Sequence, residues 1–587
     1  MDFIIQAKAA EHLFNIITGR EIKDNSLVTK KAEAVLREKR EKTEVIPEEV
    51  GISSLELNNM LIKMSESKHA NLHQITVIKD GKTVIDTAFY PYTEDIRHIS
   101  HSASKTLIAL AIGILVTRGE LELDKKLVDI FDSECNIVSK IKIGKITVKH
   151  LLTMTSGLVA NEIMTVSQKD WLKAALDSSL SFEPGSKFQY NSINTYLLSC
   201  IVEKISGKSA FLFLKENLFD ILGIENIFWE SCPMGRTKGG WGLYILPSDL
   251  AKTGVFMLNK GFWEGKEIVS EKYIDEMTKA SVLPPKELGL NGYGYQIWIG
   301  ENENSFVFNG MLGQNLHCFK DTNTVVAVTG GNNELFGKCE VNEIIDEYFG
   351  KGKIYTENKA ADKKAYKKLN KTLKNLCNPV FNLSLNSNIK EKLAEKIPCV
   401  RNKRLYKDIS KIKGKKYLLS NTKLSLEPFF SKLLTNNYTE GIKEISFFEE
   451  NKNLFMKLKE GENENLIPLD FNKFIYTDIV SGENKFKAAV MAKFTFNEDG
   501  VKVLKISMPF LEHSNGRIIK IFFESENKIR VKTEEIPGKK VIEEGITALG
   551  SMFPEKGGGS FMKKLDPYLV KEIASIVTEP EAEGISV

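Results

Sequence analysis

One apolar run, Leu107 to Val116, constrains this 587-residue chain more than any other stretch. It is apolar almost all the way round a helix, so that helix must be buried, and it is too short to cross a bilayer. Gly119 supplies an end cap. Ser102 and Lys105 stand at its head with i,i+3 spacing, which puts both on one face of the first turn. A serine there has backbone N–H groups at hand for a developing oxyanion. An amine desolvated one turn on loses its proton more easily. Ser102 is therefore a candidate nucleophile and Lys105 its partner. The spacing itself is common, recurring at Ser65/Lys68, Ser139/Lys142, Ser410/Lys413, Ser525/Lys528 and Ser560/Lys563. None of those opens a long apolar helix. Such a serine can also simply cap its helix, so the motif alone leaves both readings open.

The length leaves room for roughly two to four domains and at least one large core. A net charge of +4, with lysines dispersed along the chain, points to neither a nucleic-acid nor a membrane partner. Seven cysteines, an odd number without a Cys-x-x-Cys pair, speak against a disulfide framework and against a zinc site. The N-terminus has no basic segment followed by an uninterrupted apolar core, so a cytoplasmic location is expected.

In chain order, residues 1–44 read as a charged helical extension in which His12 is a surface or packing residue. Gln74–Phe89 alternates around Asp80-Gly81, a β-hairpin. His69 and His73 have a spacing that on a helix would suit a metal. No glutamate follows the first, and a strand begins at once, so both are read as structural. Tyr190 lies in a loop after Pro184-Gly185, ahead of a helix that begins near Ser192. Gly292–Gly300 reads as one strand, followed by strands over Phe306–Gly310, Gly313–Phe319 and Thr324–Thr329, with His317 in the core. A helix ending near Phe349 closes this unit, 45–350. Residues 351–376 are lysine-rich and poor in bulky aliphatics, a linker or an exposed helix. Residues 377–540 carry short alternating runs, a β-rich domain with nothing catalytic in it. A tail over 541–587 holds the flexible Gly557–Ser560 joint and a short helix from Asp566 to Val577.

Taken together, the motifs resemble the class C β-lactamase-like branch of the serine β-lactamase and penicillin-binding superfamily, with its related esterases and D-amino-acid peptidases. The resemblance covers about Val45–Phe349. Its Ser-x-x-Lys falls on Ser102/Lys105, and its Tyr-x-Asn on Tyr190-Asn191-Ser192, with serine replacing asparagine. Its Lys-Thr-Gly strand falls on Phe308-Asn309-Gly310, with phenylalanine replacing lysine. Leu151–Leu158 and Trp241–Leu243 follow the same order. Glu287–Asn291 spells a β-lactamase base signature, but out of place, and reads as a surface loop.

The resemblance implies an α+β fold: an antiparallel sheet flanked by helices with an all-helical subdomain, followed here by the smaller antiparallel β-rich domain. It implies an acyl-enzyme on Ser102, with Lys105 and Tyr190 sharing the proton and the oxyanion held by the N–H groups of Ser102 and Met311. Ser192 replaces the asparagine that bonds the lysine, and is expected to make that bond with a shorter reach. Phe308 removes a positive charge and would offer apolar surface instead, unless Arg236 or Lys238 reaches the same place. The expected activity is hydrolysis of a small ester, amide or peptide, with weak or no β-lactamase activity and no metal or cofactor. A non-catalytic binding protein on the same fold, or a genuine β-lactamase or D-amino-acid peptidase, are the alternatives.

Overall fold

The computed structural model describes residues 44–285, 290–302, 304–334, 339–377, 407–420, 423–451, 453–552 and 567–587, and residues 8, 11, 12, 15, 24 and 26–29. Most of the expected N-terminal extension, Glu287–Gly289 and the Gly557–Ser560 joint lie outside these.

The first unit contains α1 (Ser54–Glu66), β1 (Leu72–Lys79), β2 (Lys82–Ala88) and α2 (Lys105–Thr117), then α3 (Glu162–Val166), α4 (Ser192–Ser206) and α5 (Pro247–Leu258). Strands β3 (Gly292–Tyr293), β4 (Trp298–Ile299), β5 (Ser305–Gly310), β6 (Gln314–Phe319) and β7 (Thr324–Gly330) follow, with α6 (Glu340–Ile345) and α7 (Lys363–Leu376) after them. They build an antiparallel sheet in the order β2-β1-β7-β6-β5-β4-β3.

The β1–β2 hairpin turns at Asp80 and Gly81, both at positive φ (51° and 73°), the turn that Asp-Gly favours. Every residue of α2 from Lys105 to Leu115 is buried, and Gly119 ends the helix at φ 72°. That helix lies in the large core between the sheet and the helical half of the unit. On the other face of the sheet α1, α6 and α7 bury a second cluster. Residues 363–376, inside the segment expected to be a linker or an exposed helix, form α7, which buries Leu369 and Leu376 in that cluster.

The expected single strand Gly292–Gly300 is instead a short hairpin, β3 against β4. It bends at Gln296, whose backbone sits at φ 56°. The side chain of Gln296 turns inward, donating to Leu151 O at 2.8 Å and accepting from Thr195 Oγ1 at 2.6 Å. A buried amide satisfied on both ends outweighs the strand propensity of its neighbours.

The C-terminal unit holds β8 (Lys416–Leu419), α8 (Phe429–Thr435), β9 (Ile442–Glu450), β10 (Asn453–Glu460), β11 (Asn463–Leu469) and β12 (Ile475–Ser481). It continues with β13 (Asn484–Phe496), β14 (Lys502–Pro509), β15 (Gly516–Phe523), β16 (Lys528–Ile536), α9 (Lys539–Met552), α10 (Pro567–Thr578) and β17 (Glu581–Ser586). Its antiparallel sheet runs β11-β10-β9-β8-β17-β16-β15-β14-β13-β12 around one core. Asn465 brings the two ends together. It donates to Val480 O at 2.8 Å and accepts from Val480 N at 2.7 Å, so a near-barrel closes through a side chain rather than a strand ladder. Among the described residues no helix is long and apolar enough to cross a membrane.

The two units are docked. Leu511–Asn515, the loop between β14 and β15, is buried throughout and inserts behind the head of α2. Glu512 O accepts from Ile99 N at 2.8 Å, and its carboxylate meets Arg97 Nε at 2.8 Å.

Candidate active site

Ser102 lies in the 3-10 turn His101–Ser104 that leads into α2, so Ser102 and Lys105 share one face as their spacing predicts. Lys105 is 1% exposed, with Nζ 2.8 Å from Ser102 Oγ and donating to Gly240 O at 2.8 Å. Burial pushes its pKa from 10.5 down to about 7, with the Glu162 carboxylate acting weakly the other way. The amine also lies 5.0 Å from the centre of the Tyr190 ring. Burial moves the Tyr190 hydroxyl in the opposite direction, upward, against the effect of its hydrogen bond to Ser102. Trp298 stacks on that ring at 5.7 Å.

Asn191 caps α4, accepting from Ile193 N at 2.9 Å and donating to Ala160 O at 2.7 Å. Ser192 is the first residue of that helix, and its N–H donates to Glu162 Oε1 at 3.0 Å. The bond expected from Ser192 to the lysine goes to the Gly240 carbonyl instead. Gly240 can approach because it has no side chain: a Cβ there would lie 3.0 Å from Ser192 Cβ.

Strand β5 reaches the serine by similar means. A Cβ on Gly310 would sit 2.5 Å from Ser100 O, so only glycine lets this strand press against the turn that carries Ser102. Asn309, Gly310 and Met311 all line the cavity in front of Ser102. Phe308 does not. Its ring is fully buried in the large core, stacked near Phe306. Strand alternation explains this departure from expectation, because Asn309 and Phe308 must face opposite ways. Neither expected substitute for the missing cation reaches the cavity. Lys238 is buried against Glu230 at 2.6 Å, and Arg236 meets Glu203 at 3.4 Å.

The cavity encloses about 320 Å3. Among the described residues, its charged lining residues are Glu162 and Glu334. The C-terminal unit, in which the sequence shows nothing catalytic, walls it with Phe430, Leu433 and Leu434 of α8. It also supports the serine from behind, since His101 Nε2 and Ser514 Oγ are 3.0 Å apart. His101 is held neutral, its pKa pushed to about 3 by burial and then by His98 and Lys105. Beyond it His98 Nδ1 donates to Ile99 O at 2.9 Å, which leaves Nε2 to accept from His73 Nδ1 at 2.9 Å. His73 is thus part of a buried imidazole chain, as its strand position implied, and His317 bonds Asn342 in the core. Among the described residues no three His, Cys, Asp or Glu side chains cluster as metal ligands would.

Glu162, Gly240 and Ser514 were not singled out by the sequence. Only Glu162 left any trace, as an acidic residue one position after the capping residue Asn161.

Residues 58–335 match the family model Beta-lactamase. A stretch of 128 residues is 26% identical to the "Probable fimbrial assembly protein FimD, serogroup H1" of Dichelobacter nodosus, covering 20% of this chain and 32% of that protein. The chain thus spans about a third of the length of that curated relative. Three solved structures are similar at low identity. A penicillin-binding protein from Bacillus halodurans is 18% identical with TM-score 0.40, covering 50% of this chain and 99% of that one. An octameric penicillin-binding protein homologue from Pyrococcus abyssi is 18% identical with TM-score 0.39, covering 78% and 98%. A family VIII carboxylesterase is 15% identical with TM-score 0.42, covering 56% and 99%.

Proposed function

From the match of residues 58–335 to the Beta-lactamase family model, we propose that this chain is a serine hydrolase acting on uncharged or cationic esters or amides through an acyl-enzyme on Ser102. The observation that carries the reading is the fully buried Lys105 amine, 2.8 Å from Ser102 Oγ, with its pKa down at about 7. Lysine and tyrosine are pushed apart by the same burial, one toward the free base and the other toward the phenol. That divergence supports separate roles for the two groups, the lysine as base and the tyrosine as proton donor. Lys105 Nζ takes the proton as Ser102 Oγ attacks the acyl carbonyl. That proton then passes from Lys105 by way of the Tyr190 hydroxyl to the leaving alkoxide or amine, so Tyr190 ends the step as phenol and Lys105 as free base. The N–H groups of Ser102 and Met311 are the oxyanion donors in this reading. Water then attacks the acyl carbon as Lys105 takes its proton, the bond to Ser102 Oγ breaks, and Lys105 returns that proton to Ser102 as the acid is released.

The lining favours substrates without a carboxylate. Glu162 and Glu334 repel one, and no lysine or arginine among the described lining residues offsets them. The preference for uncharged substrates thus rests on these carboxylates rather than on the Phe308 ring. Mass spectrometry after treatment with a fluorophosphonate tests the reading: the adduct is expected on Ser102, and labelling elsewhere with Ser102 untouched refutes it.

The pH profile follows from Lys105. Its active form is the free base, so kcat/KM for a neutral ester should level off above about pH 7 and fall tenfold per unit below it. A flat profile from pH 8 to pH 5 would remove Lys105 as the base.

A further inference from the structure

Two residues beside the expected oxyanion donors hold backbone conformations that side chains other than glycine seldom adopt. His101, one before Ser102, has φ 45°, and Leu312, one after Met311, has φ 64°. Histidine tolerates this region better than leucine does, and neither stays there unless its surroundings hold it. Gln314, the first residue of β6, is one support, and its side chain is buried. Its Nε2 donates to Gly330 O at 2.7 Å and to Ser514 Oγ at 3.0 Å, with Leu312 O 3.1 Å away. The buried Ser514 hydroxyl thus accepts from Gln314 and keeps its own O–H for His101 Nε2, 3.0 Å away. One hydroxyl of the C-terminal unit therefore joins both turns. It can come so close because residue 331 is glycine: a Cβ there would lie 2.4 Å from Ser514 O. Leu312 is held from another side as well. Its carbonyl accepts from Asn332 N at 3.0 Å, and its side chain packs in a cluster with Phe429, Phe430 and Leu433 of α8.

We propose that Ser514 is a positioning residue for the oxyanion hole, its hydroxyl fixing the turn that carries the Ser102 N–H relative to the turn that carries the Met311 N–H. Two donors stabilise a developing oxyanion only while their spacing matches it, so a mismatch is felt in the transition state more than in substrate binding. Removing the hydroxyl takes one partner from Gln314 Nε2 and one from His101 Nε2, and each strained turn loses a contact that holds it. The C-terminal unit then does more than wall the cavity, because the geometry of the two donors depends on it. That catalytic consequence rests on the hydrolase reading; the tie between the two turns does not.

The full chain tests this as wild type, Ser514→Ala and Ser514→Thr. For a neutral nitrophenyl ester, Ser514→Ala should lower kcat about ten- to a hundredfold with KM within about twofold, less than the loss of an oxyanion donor outright. Butylboronic acid, whose adduct with Ser102 Oγ sets a tetrahedral centre before the same donors, should lose affinity by a similar factor. The threonine variant keeps the hydroxyl and should recover most of both. Should Ser514→Ala not fold, Ser514→Cys, with its weaker donor, takes its place. Amide hydrogen exchange should quicken together at the turns around His101 and Leu312. A merely structural role would instead lower Tm and leave kcat and boronate affinity unchanged well below it. Unchanged kcat, unchanged boronate affinity, or exchange that quickens at one turn alone overturns the proposal, while the wild type's own activity keeps the hydrolase reading. If the wild type neither hydrolyses the ester nor binds the boronate, that reading has failed and hydrogen exchange alone decides the tie. Faster exchange at both turns then upholds it, and any other pattern refutes it.

Discussion

Replacing Lys105 with methionine will lower kcat/KM roughly a hundred- to ten-thousandfold, the range for removal of a general base, while the melting temperature stays level or rises. The two halves of this expectation have different origins. Activity falls because nothing else within reach of Ser102 Oγ is a free base near neutrality. Tyr190 is pushed the wrong way, and His101 points its Nε2 at Ser514. Stability holds because the folded protein suppresses the lysine charge. A pKa moved from 10.5 to about 7 corresponds to on the order of 5 kcal/mol against the ammonium form. The sign is that of a lowered lysine: the unfolded chain binds the proton more tightly, so wild-type stability rises with pH between about 7 and 10.5. Methionine fills similar volume without that cost. It leaves the Gly240 carbonyl unpaired, a loss of about 1–3 kcal/mol that the relief exceeds. Activity by ester hydrolysis and Tm by calorimetry read the two independently. A methionine variant that is less stable and equally active would reverse both assignments.

Glu512→Ala is expected to cost about 3–5 kcal/mol of stability, because it strands a buried charge on Arg97. Both side chains of this pair are 9% exposed, and they meet at 2.8 Å. Arg97 also lies over the Phe228 ring, 5.7 Å from its centre. An arginine held this way has little water to turn to once its carboxylate is gone. The effect should reach the chemistry as well. Glu512 O holds Ile99 N, three residues before the serine, and Ser514 holds His101, one residue before it. A shift of about 1 Å at a nucleophile can cost a hundredfold in rate. The variant should therefore lose activity and label more slowly with a fluorophosphonate at temperatures well below its Tm. The double variant Arg97→Met/Glu512→Leu replaces the pair with apolar groups and should recover most of the stability. Equal Tm values for wild type and Glu512→Ala would mean that the pair contributes nothing to docking.

What was legible in the sequence is what depends on near neighbours. The buried helix α2 followed from a ten-residue apolar run, and the Ser102/Lys105 contact from helical spacing. The β1–β2 hairpin followed from Asp80-Gly81. The six-residue strands β5 and β6 were read with bounds within a residue of those observed. What escaped depends on which surfaces meet. Glu162 acquires its role only because α3 lies against the start of α4, and Gly240 only because it passes over Ser192. Ser514 is a loop residue 412 positions from Ser102, and nothing local marks it. Phe308 is a different kind of miss. A motif position was carried over, but strand parity decides whether a side chain faces substrate or core, and one step separates Asn309 from Phe308.

The docking of the Leu511–Asn515 loop has a consequence for the proposed activity during synthesis. Gly330 completes the sheet of the first unit, yet Glu512 lies 182 residues further on. At roughly 5–20 residues per second a ribosome needs about ten to forty seconds to cover that distance. Throughout that interval the nascent chain carries Ser102 and Lys105 but neither partner for Arg97 nor support for His101. In the hydrolase reading, a newly made molecule is therefore latent until its second half arrives.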